Sequence, residues 1–229
     1  MSSFADLPRA GDLEHAMLYR EMIHQPTSPI VDFSYGVLIS QLVSQWKMCV
    51  DAGIEFCLSP DSPKSSKELF DTIDSSGVCP ILPTSTAGTL PKDHPMAQPT
   101  EISIGGKTLC ANDVFRGVHD VFGHYIPDAD FSPQGEFRAW VAHDSTLEYA
   151  SWLALFCETR GQNADTNFLD GAYLIPRANR RFARQKCGVV PKDQVYSPQV
   201  MDRITSQDHP VVRLRDTPLA SLYSFPPQR

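Results

Sequence analysis

Residues 117 to 131 read GVHDVFGHYIPDADF, and the two histidines in this stretch carry most of its chemistry. His119 and His124 are five residues apart, and on a regular α-helix such residues point about 140° away from each other. Their rings can therefore meet only if the helix ends or unwinds between them. Gly123 precedes the second histidine, and glycine commonly takes the left-handed conformation just past a helix end. The stretch predicts a helix that ends or distorts by Gly123 and brings both imidazoles to one metal ion.

Two imidazoles rarely suffice for a metal, so a carboxylate ligand is expected beside them. Two histidines and one carboxylate leave coordination positions open and are typical of non-haem iron(II) oxygenases. Asp120 points to a different side of the helix, and Glu136 opens the next helix. Glu158 ends the apolar segment ASWLALFCE, where an unpaired carboxylate would be costly. We therefore predict Glu158 as the third ligand, while a surface ion pair with Arg160 is the structural alternative.

Four further side chains are candidates for the site. His143 and Arg160 are predicted as catalytic residues, His143 as a neighbour of the metal or a proton-transfer group. Arg160, Arg116 and Gln162 are predicted to bind the substrate, since the planar guanidinium can bind a carboxylate through two hydrogen bonds. Each also has an ordinary structural role open to it: a core histidine, a helix end or a surface ion pair.

Composition and periodicity predict a mainly α (α+β) protein, a compact helical domain with a small β-hairpin and long loops. The chain has 229 residues, 41% of them hydrophobic and 21% charged, which suits a single catalytic domain over residues 1–229. The hairpin is expected around Gly105-Gly106 in TEISIGGKTLC. A short strand is expected at 54–59, and a long loop over 78–99, which contains PTSTAGTLPKDHP, is a candidate cover for a site.

Apolar spacing and helix-end residues predict where the helices lie. The expected helical segments are residues 11–25, 31–53, 62–77, 112–123 and 133–161. Ser65 or Ser66 is expected to cap the third segment, with Gly77 beyond its end. The last segment is expected to break near Asp144. One or two short helices and much loop are expected after it.

Charge and cysteine use restrict the partners and the compartment. The net charge is −7, which argues against nucleic acid and anionic membranes as partners. No run of about 18 apolar residues is present, so no membrane span is expected. The six cysteines are dispersed and no secretory signal is evident, so we expect reduced thiols in a cytoplasmic protein.

Residues 112 to 160, with VHDVFGHYIPDADFS at their centre, resemble the iron-binding region of the pterin-dependent aromatic amino acid hydroxylases. That family has a His-Glu-Leu-Leu-Gly-His run, a proline-containing turn and later a glutamate ligand. The resemblance implies that His119, His124 and Glu158 bind Fe(II) and that dioxygen is a substrate. This chain has Asp120 where the family has glutamate. The family's pterin-binding loop is not identifiable, so pterin or another reductant is left open.

A second resemblance is broader and carries less chemistry. Residues 94 to 191, including HPMAQPTEISIGGKTLCANDVFRGVHDVFGH, ETRGQN and ARQKCGVVP, are similar to a group of uncharacterised bacterial and phage proteins. This similarity implies one continuous domain over the region. It implies no activity.

The sequence therefore predicts a mononuclear non-haem iron(II) oxidoreductase that uses dioxygen. Its small-molecule substrate is expected to be carboxylate-bearing or aromatic, and hydroxylation or oxidative rearrangement is the expected reaction. Because His-Asp occurs at 119–120 and at 143–144, an HD-type metal-dependent phosphohydrolase is the alternative. A non-enzymatic helical binding domain with buried histidines is the second alternative.

Overall fold

The computed structural model describes residues 7–87, 90–205 and 214–224, and the fold over these ranges is mainly helical, as predicted. The α-helices are α1 (Asp12–Glu21), α2 (Pro29–Asp51), α3 (Ser66–Ser76), α4 (Thr84–Ala87), α5 (Ala111–His119), α6 (Pro133–Asp144), α7 (Trp152–Phe156), α8 (Gln162–Phe168), α9 (Lys192–Val195) and α10 (Pro198–Thr205). The strands are β1 (Glu55–Leu58), β2 (Val78–Ile81), β3 (Pro99–Ile104) and β4 (Lys107–Cys110). Wider π-helical turns cover Asp120–Tyr125 and Cys157–Gly161, and 3₁₀ turns cover Pro95–Ala97, Tyr149–Ser151, Leu169–Leu174, Arg177–Asn179 and Pro218–Ser224.

Helix α2 is the longest helix in these ranges and packs against both α5 and α7. Its inward face repeats every three or four residues, as a helix with one buried stripe requires. That buried face comprises Val31, Tyr35, Leu38, Leu42, Trp46 and Cys49. The Trp46 ring stacks on Phe56 of β1 with centroids 3.8 Å apart, so α2 also covers the first strand.

Strands β1 and β2 form a parallel pair that the sequence predicted only in part. The short strand at 54–59 was expected, whereas residues 78–81 were assigned to a loop and pair as β2, with Glu55 opposite Val78. Helix α3 makes the crossover between them, as a parallel pair requires. Ser65 caps α3 by accepting a hydrogen bond from the Glu68 N–H at 3.2 Å, and Gly77 ends it with φ of 71°, as predicted.

The predicted hairpin is present as the antiparallel pair of β3 and β4. Gly105 and Gly106 at its tip have φ values of 56° and 79°. Two consecutive positive φ angles are what a tight hairpin turn requires, and glycine adopts them without steric cost. Helix α5 follows β4 directly, so the hairpin fixes where the histidine-bearing helix begins.

The chain after α5 turns back on itself within a few residues. Helix α6 packs against the π-helical turn Asp120–Tyr125 and ends at Asp144, where a break was predicted. One or two short helices were expected after residue 161, and the described part of that region has three short α-helices, α8, α9 and α10. Residues 206–213 and 225–229 of that part lie outside the described residues, as do 88 and 89 of the predicted loop.

One connected cluster of buried apolar side chains joins these elements, and a small second cluster forms between α1 and α8. All six cysteines are free thiols, and four of them are buried. Among the helices in the described ranges, none combines the length and the apolar character that a membrane span needs.

Gly117, the one glycine of α5, packs against the parallel strand pair and leaves no room for a side chain. A Cβ added there would lie 2.7 Å from Ile81 Cδ1 and 3.0 Å from the Phe56 ring. We expect Gly117→Ala to lower the free energy of unfolding by about 1–3 kcal/mol, because over-packing displaces both side chains. Urea denaturation followed by circular dichroism measures this change.

Gly36→Ala is the matched control. Nothing lies within 4 Å of a Cβ at Gly36 in α2. Alanine should therefore stabilise that helix by roughly 0.5–1 kcal/mol. Equal changes in the free energy of unfolding at both positions would contradict the close packing of α5 against strands β1 and β2.

Candidate metal centre

The helix carrying the histidines widens instead of ending. Helix α5 continues from His119 into the π-helical turn Asp120–Tyr125. In such a turn each N–H bonds the carbonyl five residues back, as Ile126 N does to Val121 O at 2.9 Å. Positions five apart then come to nearly the same face. The His119 and His124 rings lie edge to face with centroids 5.0 Å apart, so the predicted distortion is confirmed.

Gly123 makes this arrangement possible, although not by the predicted route. Positive φ values occur at six glycines in the described ranges, and Gly123 is not one of them, so the expected left-handed helix end is wrong. A Cβ at Gly123 would instead lie 2.6 Å from Cε1 and 2.7 Å from Nδ1 of His119. The missing side chain leaves the space that the His119 ring fills.

The carboxylate that joins the two histidines is Glu136. One donor atom from each of His119, His124 and Glu136 lies within 4.8 Å of the others, and His124 Nε2 is 3.6 Å from Glu136 Oε2. When two ligand atoms bind one ion at about 2.1 Å with a ligand–metal–ligand angle of about 90–109°, they lie roughly 3.0–3.4 Å from each other. Small side-chain movements would therefore bring all three to one ion.

Glu136 reaches the histidines because α6 begins close to them. Ser132 caps α6 by accepting a hydrogen bond from Gly135 N at 3.0 Å, and Glu136 follows in the first turn. The short connection after His124 folds α6 back against the π-helical turn. A connection this short is the sequence signal that could have favoured Glu136, since helices joined by short loops are usually neighbours.

Glu158, the predicted third ligand, lies in a different cluster. It accepts hydrogen bonds from Tyr35 Oη at 2.5 Å and Gln185 Nε2 at 3.5 Å, and its Oε1 is 3.4 Å from His94 Nε2. Burial raises the pKa of Glu158 to about 7. The buried carboxylate does have partners, as the sequence argument required, but they are a phenol and an amide instead of the two histidines. The ligand assignment moves to Glu136.

His124 is held in the tautomer that a metal requires. Its Nδ1 lies 3.0 Å from the Ala129 carbonyl oxygen, which can only accept, so Nδ1 carries the proton. The Ala129 N–H in turn donates to the His124 carbonyl at 2.9 Å. Nε2 is therefore unprotonated, and its lone pair faces Glu136. Phe131 packs edge-on against the ring at 4.8 Å and restricts its rotation.

A chain of hydrogen bonds from Thr146 fixes the tautomers of His143 and His119. The Thr146 hydroxyl donates its one proton to the His143 carbonyl at 2.8 Å, so its oxygen accepts from Gln45 Nε2 at 2.9 Å. Gln45 Oε1 then faces His143 Nε2 at 3.0 Å and accepts from it. His143 Nδ1 is therefore unprotonated and accepts from His119 Nδ1 at 3.0 Å. The Nε2 atom of His119 keeps its lone pair.

His143 contacts the proposed ligand His119 and is not among the converging metal-binding atoms, and its predicted catalytic role stays a prediction. Side-chain networks of this kind orient ligand histidines and set their basicity. Burial lowers the pKa of His143 to about 3 and that of His119 well below its usual value. It also lowers the pKa of His124 and raises that of Glu136 to about 7. Buried neutral imidazoles beside a carboxyl group are a donor set suited to a cation.

Arg160 does not reach these donors. It forms a buried ion pair with Asp12 on α1 and donates from Nε to His15 Nδ1 at 2.8 Å. Asp12 also binds Arg203 of α10 at 2.7 Å. The predicted roles of Arg160 in catalysis and substrate binding therefore have no geometric support, because its charge is already paired inside the protein.

The other two predicted substrate-binding side chains are hydrogen-bonded to backbone carbonyls. Gln162 donates to the Ala183 carbonyl at 3.1 Å, and Arg116 donates to the Leu82 carbonyl at 3.0 Å. The described part of the predicted covering loop is tied to the start of α5, where Thr84 N donates to Asp113 at 2.7 Å. That contact is about 9 Å along the helix axis from His119.

Comparisons with known proteins add no assignment to this geometry. No family model matches the sequence, and no curated protein or solved structure matches it either. The resemblance of residues 112 to 160 to the pterin-dependent hydroxylases stays a prediction. The function is therefore inferred from the metal-binding atoms and their hydrogen-bond partners.

Gly123→Ala should disturb the centre directly. The new methyl group would overlap the His119 ring, so the ring must turn away from His124. We expect near-complete loss of stoichiometric divalent-metal binding, measured by equilibrium dialysis and elemental analysis, with the far-ultraviolet circular dichroism preserved. Gly36→Ala is the control and should bind as the wild type does. Undiminished binding by Gly123→Ala would refute the close approach.

Gln45→Leu should weaken metal binding from a distance. The change removes the acceptor that fixes His143, and losses of such supporting hydrogen bonds typically cost 10–100-fold in metal affinity. Gln41→Leu on the same helix is the matched control, because Gln41 Oε1 has no hydrogen-bond partner among the described residues. Competition with a metal-binding dye gives both affinities. Equal affinities would mean that the chain from Thr146 does not govern His119.

Proposed function

We propose that the protein is a mononuclear non-haem iron(II) enzyme that uses dioxygen to oxidise a small organic substrate. The observation that carries the proposal is the convergence of His119, His124 and Glu136, with both histidines held in the tautomer that leaves Nε2 unprotonated. Two imidazoles and one carboxylate match the iron(II) facial triad. Sequence resemblance to an iron-dependent family supports the same metal.

The residues of the chain would have separate tasks at this centre. His119 and His124 would bind the metal through Nε2 and Glu136 through its carboxylate, while the Gln45 and Ala129 hydrogen bonds keep the rings oriented. When bound, iron(II) in such a site supplies open positions for dioxygen and an organic substrate. The Phe115 ring stacks on His119 with centroids 5.3 Å apart and shields that side of the centre from water.

The substrate class in this proposal is a small carboxylate-bearing or aromatic compound, and the reaction is hydroxylation or oxidative rearrangement. Apolar rings beside both histidines, Phe115 and Phe131, support an apolar portion in the substrate. Hydroxylation also needs two electrons from a cosubstrate, and a pterin is the one that the resemblance suggests.

The HD-type phosphohydrolase and the non-enzymatic binding domain remain the alternatives. The first needs His119 and Asp120 to bind metal together, and the converging donors do not include Asp120. Elemental analysis of protein purified without chelator distinguishes the three hypotheses. Iron supports the proposal, zinc or a dinuclear site supports hydrolysis, and no metal supports a binding domain.

Three isosteric substitutions test the ligand set. We expect Glu136→Gln to lose stoichiometric iron, because the amide offers a neutral and weaker donor. Glu158→Gln and Asp120→Asn should retain iron, because neither side chain belongs to the converging set. Iron content by plasma emission spectroscopy, with circular dichroism as the folding control, gives the result.

The opposite patterns identify the competing assignments. If Glu158→Gln loses iron and Glu136→Gln retains it, the third ligand is Glu158, as the sequence resemblance implies. Loss of iron from Asp120→Asn would favour the HD-type centre.

A further inference from the structure

Arg177 is the arginine that forms an ion pair with the proposed carboxylate ligand in the described ranges. It begins the 3₁₀ turn Arg177–Asn179, and its Nη2 lies 3.6 Å from Glu136 Oε1. The other oxygen of the same carboxylate faces His124. The Arg177 side chain is 46% exposed, whereas that of Glu136 is 19% exposed. Arg177 therefore lies between the donors and solvent, on the side where Glu136 is accessible.

The guanidinium of Arg177 also has capacity for a ligand. Its 3.6 Å approach to Glu136 is too long for a hydrogen bond, and among the described residues no acceptor takes one from it. The arginines predicted from the sequence differ in this respect. Arg160 is paired with Asp12, and Arg116 donates to a backbone carbonyl. The planar N–H donors of Arg177 are thus available to an incoming anion.

We propose that Arg177 binds the carboxylate of the organic substrate beside the metal, an inference that rests on the proposed function. A guanidinium offers two parallel N–H donors whose spacing matches a carboxylate. The long ion pair to Glu136 keeps the side chain near the centre without using those donors. Arg177 takes over the substrate-binding role that the sequence assigned to Arg160 and Arg116, and it makes a carboxylate the required feature of the substrate.

The test uses benzoate as the probe and benzamide as its uncharged counterpart. Binding of each to the Co(II)-loaded and the metal-free protein is measured by calorimetry. Wild type is compared with Arg177→Gln and Arg177→Lys. Arg181→Gln is the matched control, because Arg181 belongs to the same basic segment, is 70% exposed and pairs with Asp165 instead of Glu136.

We expect benzoate to bind the cobalt-loaded wild type and benzamide to bind at least tenfold more weakly. Arg177→Gln should lose tenfold or more in benzoate affinity while it keeps its cobalt absorption spectrum. Arg177→Lys should recover only part of that loss, since lysine lacks the planar pair of donors. Arg181→Gln should bind benzoate as the wild type does.

Several outcomes overturn the proposal. Unchanged benzoate affinity in Arg177→Gln, or an equal loss of affinity in Arg181→Gln, would show that Arg177 does not bind the carboxylate specifically. Loss of the cobalt spectrum in Arg177→Gln would make it a positioning residue for Glu136. Absence of benzoate binding to a cobalt-loaded wild type would also refute it, and tight binding of inorganic phosphate alone would point to the hydrolytic alternative. Failure of the wild type to bind cobalt is a different result, because it refutes the proposed metal centre itself.

Discussion

The contact between the His119 ring and the backbone at Gly123 is the constraint on which the centre depends. The ring occupies the volume that any side chain at position 123 would fill. This packing is compatible with the widened turn Asp120–Tyr125, and the widened turn is what brings histidines five apart to one face. Glu136 can join them because α6 packs on the same turn. A local departure from α-helical geometry therefore creates the donor set.

Local sequence rules predicted much of the fold and the two histidines of the proposed centre. Residues such as Ser65, Gly77 and the Gly105-Gly106 pair act through their immediate neighbours, so their turns and caps were readable from the chain. The distortion before His124 was predicted for the same reason. Its form was not, because an unwound helix and a widened one both satisfy the spacing.

Long-range pairing was the part that the sequence did not reveal. Glu158 and Arg160 looked suited to a metal centre because buried charges need partners. Those partners are Tyr35 and Asp12, which lie more than a hundred residues away along the chain. The strand β2 was missed for a similar reason, since its partner is separated from it by α3. Only the three-dimensional packing decides which of several polar groups meets a buried charge.

The buried group formed by Asp12, Arg160 and Arg203 has a consequence for synthesis of the chain. Asp12 leaves the ribosome early, and Arg203, which binds it, emerges almost 200 residues later. Until then the first helix has no complete set of counter-charges, and an unpaired buried charge is strongly destabilising. Docking of α1 is therefore expected to follow the emergence of α10 from the ribosome. A nascent chain stalled before α10 would expose its amino-terminal helix to chaperones and proteases.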